Sequence, residues 1–101
     1  MTSPLSSAPD LACVVLALGN PPELAAAVRS LLDQGEPMEV VVVNSAGGGA
    51  AATLAAAGLA VPVIERPERL LPGAARNLGI AATRAPFVAF LAADCWAEPG
   101  W

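Results

Sequence analysis

Each apolar run of this chain ends in polar residues that can hydrogen-bond or ligate. In chain order these endings are Gly19-Asn20, Asn44-Ser45, Glu65-Arg66 and Ala93-Asp94. The carboxylate of Asp94 is a hard oxygen ligand of the kind that Mg²⁺ prefers, and the amide of Asn44 can both donate and accept hydrogen bonds. Each also has a structural interpretation, Asp94 as the cap of a turn and Asn44 as a turn residue bonded to its own backbone.

The absence of two residue types excludes several kinds of catalytic and metal-binding site. The sequence has no His and no Lys, so Ser-His and Cys-His nucleophilic pairs, His metal sites, Schiff bases and a P-loop lysine are all excluded. The five basic residues are arginines, at Arg29, Arg66, Arg69, Arg76 and Arg84. Among them Arg76 is a candidate for a planar, multi-donor contact to a ligand, although pairing with a surface acid is an alternative role.

Charge and cysteine usage indicate the expected partners and location. The net charge is −4 and no basic patch is present, so we do not expect duplex nucleic acid to bind. Cys13 and Cys95 form no CxxC motif and no zinc spacing, which favours two reduced thiols in a cytoplasmic protein. No apolar run approaches the ~20 residues that a membrane span needs. Residues 1–10 are expected to form a flexible leader.

Along the chain, apolar runs alternate with segments in which apolar residues recur at helical spacing. The order βαβαβαβ predicts a parallel sheet with right-handed crossovers and an α/β fold. Asn20 is expected to be the N-cap of the first helix and Gly35 to end it. Ligands of such sheets bind at the carboxyl ends of the strands, where the polar endings lie. The predicted strands are 11–18, 38–43, 62–65 and 87–92, and the later helices are 50–57 and 72–84.

The glycine-rich turn after the second strand raises an alternative. The spacing Gly47-x-Gly49-x-x-Ala52 satisfies a dinucleotide-binding fingerprint, and Glu65 ends the next strand where a ribose-binding acid would lie. However, three residues, 44–46, separate the strand from the first glycine, and a complete βα pair precedes the motif. In a chain rich in Gly and Ala, the fingerprint is therefore a weak signal.

Four segments together resemble the nucleotide-sugar-binding half of the family 2 glycosyltransferases, which have the GT-A (nucleotide-diphospho-sugar transferase) fold. In order they are VVLALGNPPEL, VVVVNSAGGGAAATL, LPGAARNLGIAATRAPFVAFL and LAADCWAEPGW. The resemblance covers about residues 11–101 and implies a Rossmann-like half of a GT-A fold. It also implies the strand order 3-2-1-4, with strands 11–18, 38–43 and 87–92 central and 62–65 towards one edge.

The resemblance implies a function and a site. It implies a segment that binds a nucleotide-diphosphate sugar, most readily a UDP-sugar, for transfer to an unknown acceptor with a divalent cation, Mg²⁺ or Mn²⁺. The residues that match the family motifs are Asn20, Asn44, Arg76 and Asn77 for the substrate and Asp94 for the metal. Catalytic residues stay unassigned, and a non-catalytic nucleotide-sugar-binding or interaction module is the alternative.

The departures from the family pattern leave activity open. Asn44 stands where the family usually has a base-contacting Asp, and Ala92 and Cys95 occupy two acidic places of the metal-binding turn. The half of the family that binds acceptor and supplies the base is not expected within residues 11–101, so the domain is interpreted as truncated. Because 55% of residues are apolar, we expect self-association or contact with that missing half, against which Trp96 and Trp101 would pack.

Overall fold

The computed structural model describes residues 9–35 and 37–95, in which four strands alternate with three helices. In chain order the elements are β1 (Leu11–Leu18), α1 (Leu24–Leu32), β2 (Glu39–Ser45), α2 (Ala50–Ala56), β3 (Val63–Glu65), α3 (Pro72–Ala81) and β4 (Phe87–Ala92). This is the βαβαβαβ alternation that the sequence predicts.

The four strands form one parallel sheet in the order β3-β2-β1-β4. In its register Val14 of β1 lies beside Val41 of β2 and Phe90 of β4, and Asn44 of β2 lies beside Glu65 of β3. The predicted order 3-2-1-4 is therefore confirmed. Within the described part of the chain, however, β4 is an edge strand and not a central one.

Both inner strands are buried on two faces because their residues are aliphatic in succession, as parallel sheets covered by helices require. One face packs Val15 and Val42 against Leu24, Leu31 and Leu54 of helices α1 and α2. On the other face, a smaller cluster packs the sheet against α3. The sheet is thus a middle layer between helices, and its polar strand ends are left at the edge.

β4 is less covered than its apolar sequence predicts. Of its six residues only Leu91 is fully buried, and Phe87 at its start is 68% exposed. Among the described residues, the strand has a hydrogen-bonded neighbour on one side only, which is β1. The prediction of a buried fourth strand is therefore correct only for part of its length, because the described chain provides no layer outside β4.

Three of the differences between the predicted and observed element boundaries bear on the site. β2 runs through Ser45, so Asn44 is a strand residue and not a turn residue. α3 ends at Ala81 and does not reach Arg84. α1 begins at Leu24 with Glu23 as its N-cap and no side-chain cap, so the predicted capping role of Asn20 is wrong. None of the helices in residues 9–35 and 37–95 is long and apolar enough to cross a membrane.

Candidate functional site

A cleft of about 400 Å³ opens at the carboxyl edge of the sheet. It is lined by the end of β1 (16–18), by Ser45, by the segment 69–72 that leads into α3, and by Ala75. Most of this lining is aliphatic, and Arg69 contributes the cationic group. An apolar cleft with a few polar groups at strand ends is the usual form of a small-molecule site in this fold class.

Asn44 lies beneath this edge and is fully buried. Its Oδ1 accepts a hydrogen bond from the backbone N–H of Asn20 at 2.9 Å. Its Nδ2 donates to the carbonyl of Gly47 at 2.8 Å and to Glu65 Oε1 at 3.3 Å. If the amide were flipped, its oxygen would face two acceptors, the Gly47 carbonyl and Glu65 Oε1. The orientation with Nδ2 towards these two acceptors is therefore favoured. Both ends of the amide are therefore engaged within the protein.

Asn20 joins the loop after β1 to the glycine turn after β2. Its Nδ2 donates to the carbonyl of Gly48 and to Thr53 Oγ1, both at 2.9 Å. Its backbone lies in the left-handed region, with φ of 52°. Its Oδ1 is buried and accepts no hydrogen bond from the described residues. Asn20 is thus a cross-loop tether, and this use of its amide explains why it does not cap α1.

The turn between β2 and α2 is left-handed over four successive residues, Ala46 to Gly49. Gly48 has φ of 105°, and a Cβ there would lie 2.8 Å from Asn20 Cβ and 3.0 Å from the Gly19 carbonyl carbon. Gly48 is thus required both by its backbone angle and by close packing. The glycine turn closes against the loop after β1.

Glu65, at the end of β3, caps α2 from outside that helix. Its Oε1 accepts the N–H of Ala50 at 2.8 Å, and its Oε2 accepts the N–H of Ala51 at 3.3 Å. The Ala50 N–H holds the pKa of Glu65 below its ordinary value of 4.5, with further lowering by Ala51 and Asn44, whereas desolvation acts in the opposite direction. The carboxylate therefore serves as a long-range N-cap for a helix that has no side-chain cap of its own.

The chain that leaves β2 runs beside the chain that leaves β3. The N–H of Ala46 donates to the carbonyl of Glu68 at 2.9 Å, and that of Gly47 donates to the carbonyl of Arg66 at 3.1 Å. The second of these segments continues into the wall of the cleft at Arg69. The position of this wall is therefore tied to the glycine turn.

Asp94 lies at the same edge, beyond the end of β4. It lines a shallow depression of about 230 Å³ together with Leu16, Leu18, Pro21, Ala92 and Ala93. This depression shares the end of β1 with the main cleft. The Asp94 carboxylate is exposed, and Oδ1 accepts a hydrogen bond from Cys95 Sγ at 3.6 Å.

The donor set around Asp94 is suited to a cation that a ligand helps to hold. In the described ranges 9–35 and 37–95, no three His, Cys, Asp or Glu side chains cluster as a metal site. One carboxylate is sufficient for Mg²⁺ only where phosphate oxygens and water supply the other ligands. The residues present therefore fit a metal shared with a diphosphate.

Arg76 and Asn77 lie apart from the cleft lining. Both are exposed on α3, and the guanidinium carbon of Arg76 stands 5.8 Å from the ring centroid of Phe90. That distance is within the range of a cation–π contact. The structure thus brings Asn20 and Asn44 together and places Asp94 across the end of β1, but it does not bring Arg76 or Asn77 into the same cluster.

Sequence reasoning did not assign three of the roles that side chains have at this edge. Arg69 lines the cleft, Thr53 accepts from Asn20, and Glu65 caps α2. Arg69 and Thr53 carry no motif, whereas Glu65 was visible as an acid at a strand end but was assigned to the dinucleotide alternative. The expected packing roles of Trp96 and Trp101 lie outside the described residues.

The parallel order β3-β2-β1-β4 and its alternation with helices define a Rossmann-like α/β domain. Residues 13–101 match the family described as glycosyl transferase family 2. The chain therefore belongs to the family 2 glycosyltransferases. No curated protein matches the sequence. The dinucleotide interpretation finds no support in Glu65, whose carboxylate is occupied by the cap of α2.

Proposed function

We propose that this domain binds the nucleotide-diphosphate part of a sugar donor, with a UDP-sugar as the leading candidate, in the cleft at the carboxyl edge. The observation that carries the proposal is the arrangement of that edge. An apolar cleft bearing Arg69 adjoins the depression bearing Asp94, and both share the end of β1. A planar base suits the aliphatic part, and a diphosphate suits the neighbourhood of a cation.

The topology supports the same location. β1 pairs with β2 on one side and with β4 on the other. The order in which the chain adds strands to the sheet therefore reverses at β1. Ligands of open α/β sheets bind outside the carboxyl ends of the strands at such a switch point. Asp94 follows β4 and Asn20 follows β1, so both flank this crevice.

Each assigned residue has a proposed part in donor binding. Asn44 and Asn20 are proposed to order the loops beside the cleft, because they bond to one another and to the glycine turn. Arg76 and Asn77 are proposed to approach the donor from α3. Such an approach requires Arg76 to leave its contact with Phe90.

Asp94 is proposed to hold a divalent cation, Mg²⁺ or Mn²⁺, jointly with the diphosphate. When bound, such an ion would offset the charge that develops on the leaving nucleotide as the sugar bond breaks. The part of Asp94 is to supply one oxygen ligand at the edge of the crevice. No catalytic base is assigned among residues 9–35 and 37–95, so transfer to an acceptor is proposed only for the protein that contains this domain.

The single carboxylate also favours a second candidate, a non-catalytic nucleotide-sugar-binding or interaction module. Ala92 and Cys95 flank Asp94 and supply no further carboxylate. Such a module would bind the donor without coupling to a metal. For either candidate, the two free thiols, buried Cys13 and exposed Cys95, support a reducing, cytoplasmic location as our proposal.

The experiment is a titration of the 101-residue chain with UDP, with and without Mn²⁺, in the wild type and in Asp94→Asn. We expect Mn²⁺ to raise UDP affinity in the wild type but not in the variant, because binding energies of two ligands on a shared site are coupled reciprocally. UDP affinity without metal should be nearly the same in both. The matched control is Asp10→Asn, an exposed Asp at the opposite, amino edge of the sheet, which should keep the coupling.

The other outcomes decide between the candidates. UDP binding that Mn²⁺ changes equally in the wild type and in Asp94→Asn would remove the metal role and leave the non-catalytic module. Binding of NAD(P) in preference to UDP would restore the dinucleotide interpretation. A chain that binds neither would overturn the proposed function.

A further inference from the structure

We propose that Glu65 is a positioning residue of the donor site, which acts through Asn44 and the start of α2 and requires an amide at position 44. This inference rests on the proposed function, because it assigns to Glu65 a part in shaping the cleft in which the donor would bind. Glu65 does not line that cleft, so it would act through the residues that it holds.

The first step is the position of Glu65 in the sheet. Glu65 on β3 and Asn44 on β2 are register partners in a parallel pair, so they lie side by side at the carboxyl edge. The Asn44 Nδ2 atom is 3.3 Å from Glu65 Oε1. The same oxygen also accepts the Ala50 N–H at 2.8 Å. One carboxylate therefore binds the end of β2 and the start of α2 together.

The second step concerns what lies between those two points. The residues that link β2 to α2 are the left-handed turn Ala46 to Gly49. A turn of this conformation, three of whose four residues are glycines, has high conformational freedom when it is not held. Glu65 and Asn44 hold its two ends, and Asn20 holds its middle at Gly48.

The third step leads from the turn to the cleft. Ala46 and Gly47 pair with the backbone of Glu68 and Arg66, and this second segment continues to Arg69 in the cleft wall. Ser45, directly before the turn, also lines the cleft. If the turn loosens, both of these parts of the cleft lining lose an anchor.

The fourth step explains why position 44 requires an amide in this chain. Asn44 Nδ2 faces two acceptors, the carbonyl of Gly47 and the carboxylate of Glu65. An aspartate there would place a second carboxylate against Glu65, and like charges in such contact repel. Asn44 and Glu65 are therefore a coupled pair, and the identity of one depends on the other.

The test compares UDP affinity and the free energy of unfolding in the full chain. Glu65→Gln keeps the size of the side chain but removes one acceptor and the charge, and Glu65→Ala removes the cap. We expect UDP affinity to fall about three- to tenfold in Glu65→Gln and further in Glu65→Ala, because each lost hydrogen bond frees one end of the turn. A graded loss of this kind supports positioning.

The matched control is Ala55→Gly, at an exposed position of α2 that lies four residues after Ala51, the last residue whose N–H Glu65 accepts. It lowers helix stability without altering the cap. We expect Ala55→Gly to lower the free energy of unfolding but to leave UDP affinity within about twofold. If Ala55→Gly weakens UDP binding as much as Glu65→Gln does, the role of Glu65 is only to stabilise the fold.

The coupling between the pair has its own test. We expect Asn44→Asp to weaken UDP binding strongly in the wild type and less in the Glu65→Gln background, because the second carboxylate is then absent. Equal effects in both backgrounds would overturn the coupling. A wild type that fails to bind UDP overturns the proposed function and this inference with it. A wild type that binds UDP, with Glu65→Gln unchanged, overturns this inference alone.

Discussion

At the scale of the residue, the polar side chains of this edge serve mainly to hold one another. Asn44 is a candidate for reading the donor base because its amide both donates and accepts. In the structure its Oδ1 faces Asn20, and its Nδ2 faces Gly47 and Glu65. Its contribution to donor binding is thus expected to pass through loop geometry, and the same holds for Glu65.

The capping role of Glu65 predicts a pH dependence of stability. Because hydrogen bonds from Ala50 and Ala51 lower the pKa of Glu65 in the folded chain, its stabilising effect is fully present above the ordinary pKa of 4.5 and is lost as the pH falls through the lower, folded pKa. The difference in free energy of unfolding between the wild type and Glu65→Gln should therefore be largest at neutral pH and shrink below about pH 4.5.

Urea denaturation at several pH values measures this difference. The urea dependence should be compared at constant ionic strength, so that screening does not vary between points. A difference that remains constant between neutral pH and about pH 3 would contradict the capping role of the charged carboxylate.

At the scale of the element, α3 approaches the sheet closely because of one glycine. Gly79 is buried, and a Cβ at that position would lie 2.8 Å from Val14 Cγ2. The rest of α3 packs against the smaller apolar cluster, which includes Val14 and Val43. Since the N-terminal end of α3 forms part of the cleft wall, the depth at which Gly79 packs helps to set the width of the cleft.

Two glycines of α3 give a matched pair of substitutions. Gly79→Ala should destabilise the fold by roughly 1–3 kcal/mol, because the added methyl group overpacks against Val14. Gly73→Ala should stabilise it by about 0.5–1 kcal/mol, because alanine restricts the unfolded chain and nothing lies within 4 Å of the added Cβ. Thermal or urea unfolding measures both effects. If Gly79→Ala raises stability as Gly73→Ala does, the close packing of Gly79 against Val14 is contradicted.

At the scale of the whole molecule, β4 carries apolar surface that the described chain leaves exposed or only partly covered. Phe87 is 68% exposed, and Val88, Ala89 and Phe90 are only partly buried. The high apolar content of the sequence, 55%, is consistent with a surface that another layer of protein covers.

Self-association through this surface is our prediction for the 101-residue chain. Sedimentation velocity should show reversible association that Phe87→Glu weakens, because a charge on the β4 surface opposes its burial. The control is Leu32→Glu, which changes a 45% exposed leucine on α1 and should leave association unchanged. A wild type that sediments as a compact monomer at high concentration would contradict this prediction.

The sequence by itself determined the order of the elements and the class of fold. Runs such as 11–18 and 40–43 are continuous and apolar, so they belong in parallel strands buried on both faces. The intervening helical patterns make each connection a crossover, and four ordered motifs indicated the family. These features are local, and local sequence specifies them because strand and helix periods are properties of neighbouring residues.

Only the tertiary structure decided how the polar residues of the site are used. Asn20 and Asn44 are separated by 24 positions, and Asn44 and Glu65 by 21. Their hydrogen bonds form because parallel register brings the three strand ends to one edge of the sheet. Since an amide or a carboxylate can cap a helix, join loops or bind a ligand equally well, its residue type alone does not choose among these roles. The partners that folding places within about 3 Å make that choice.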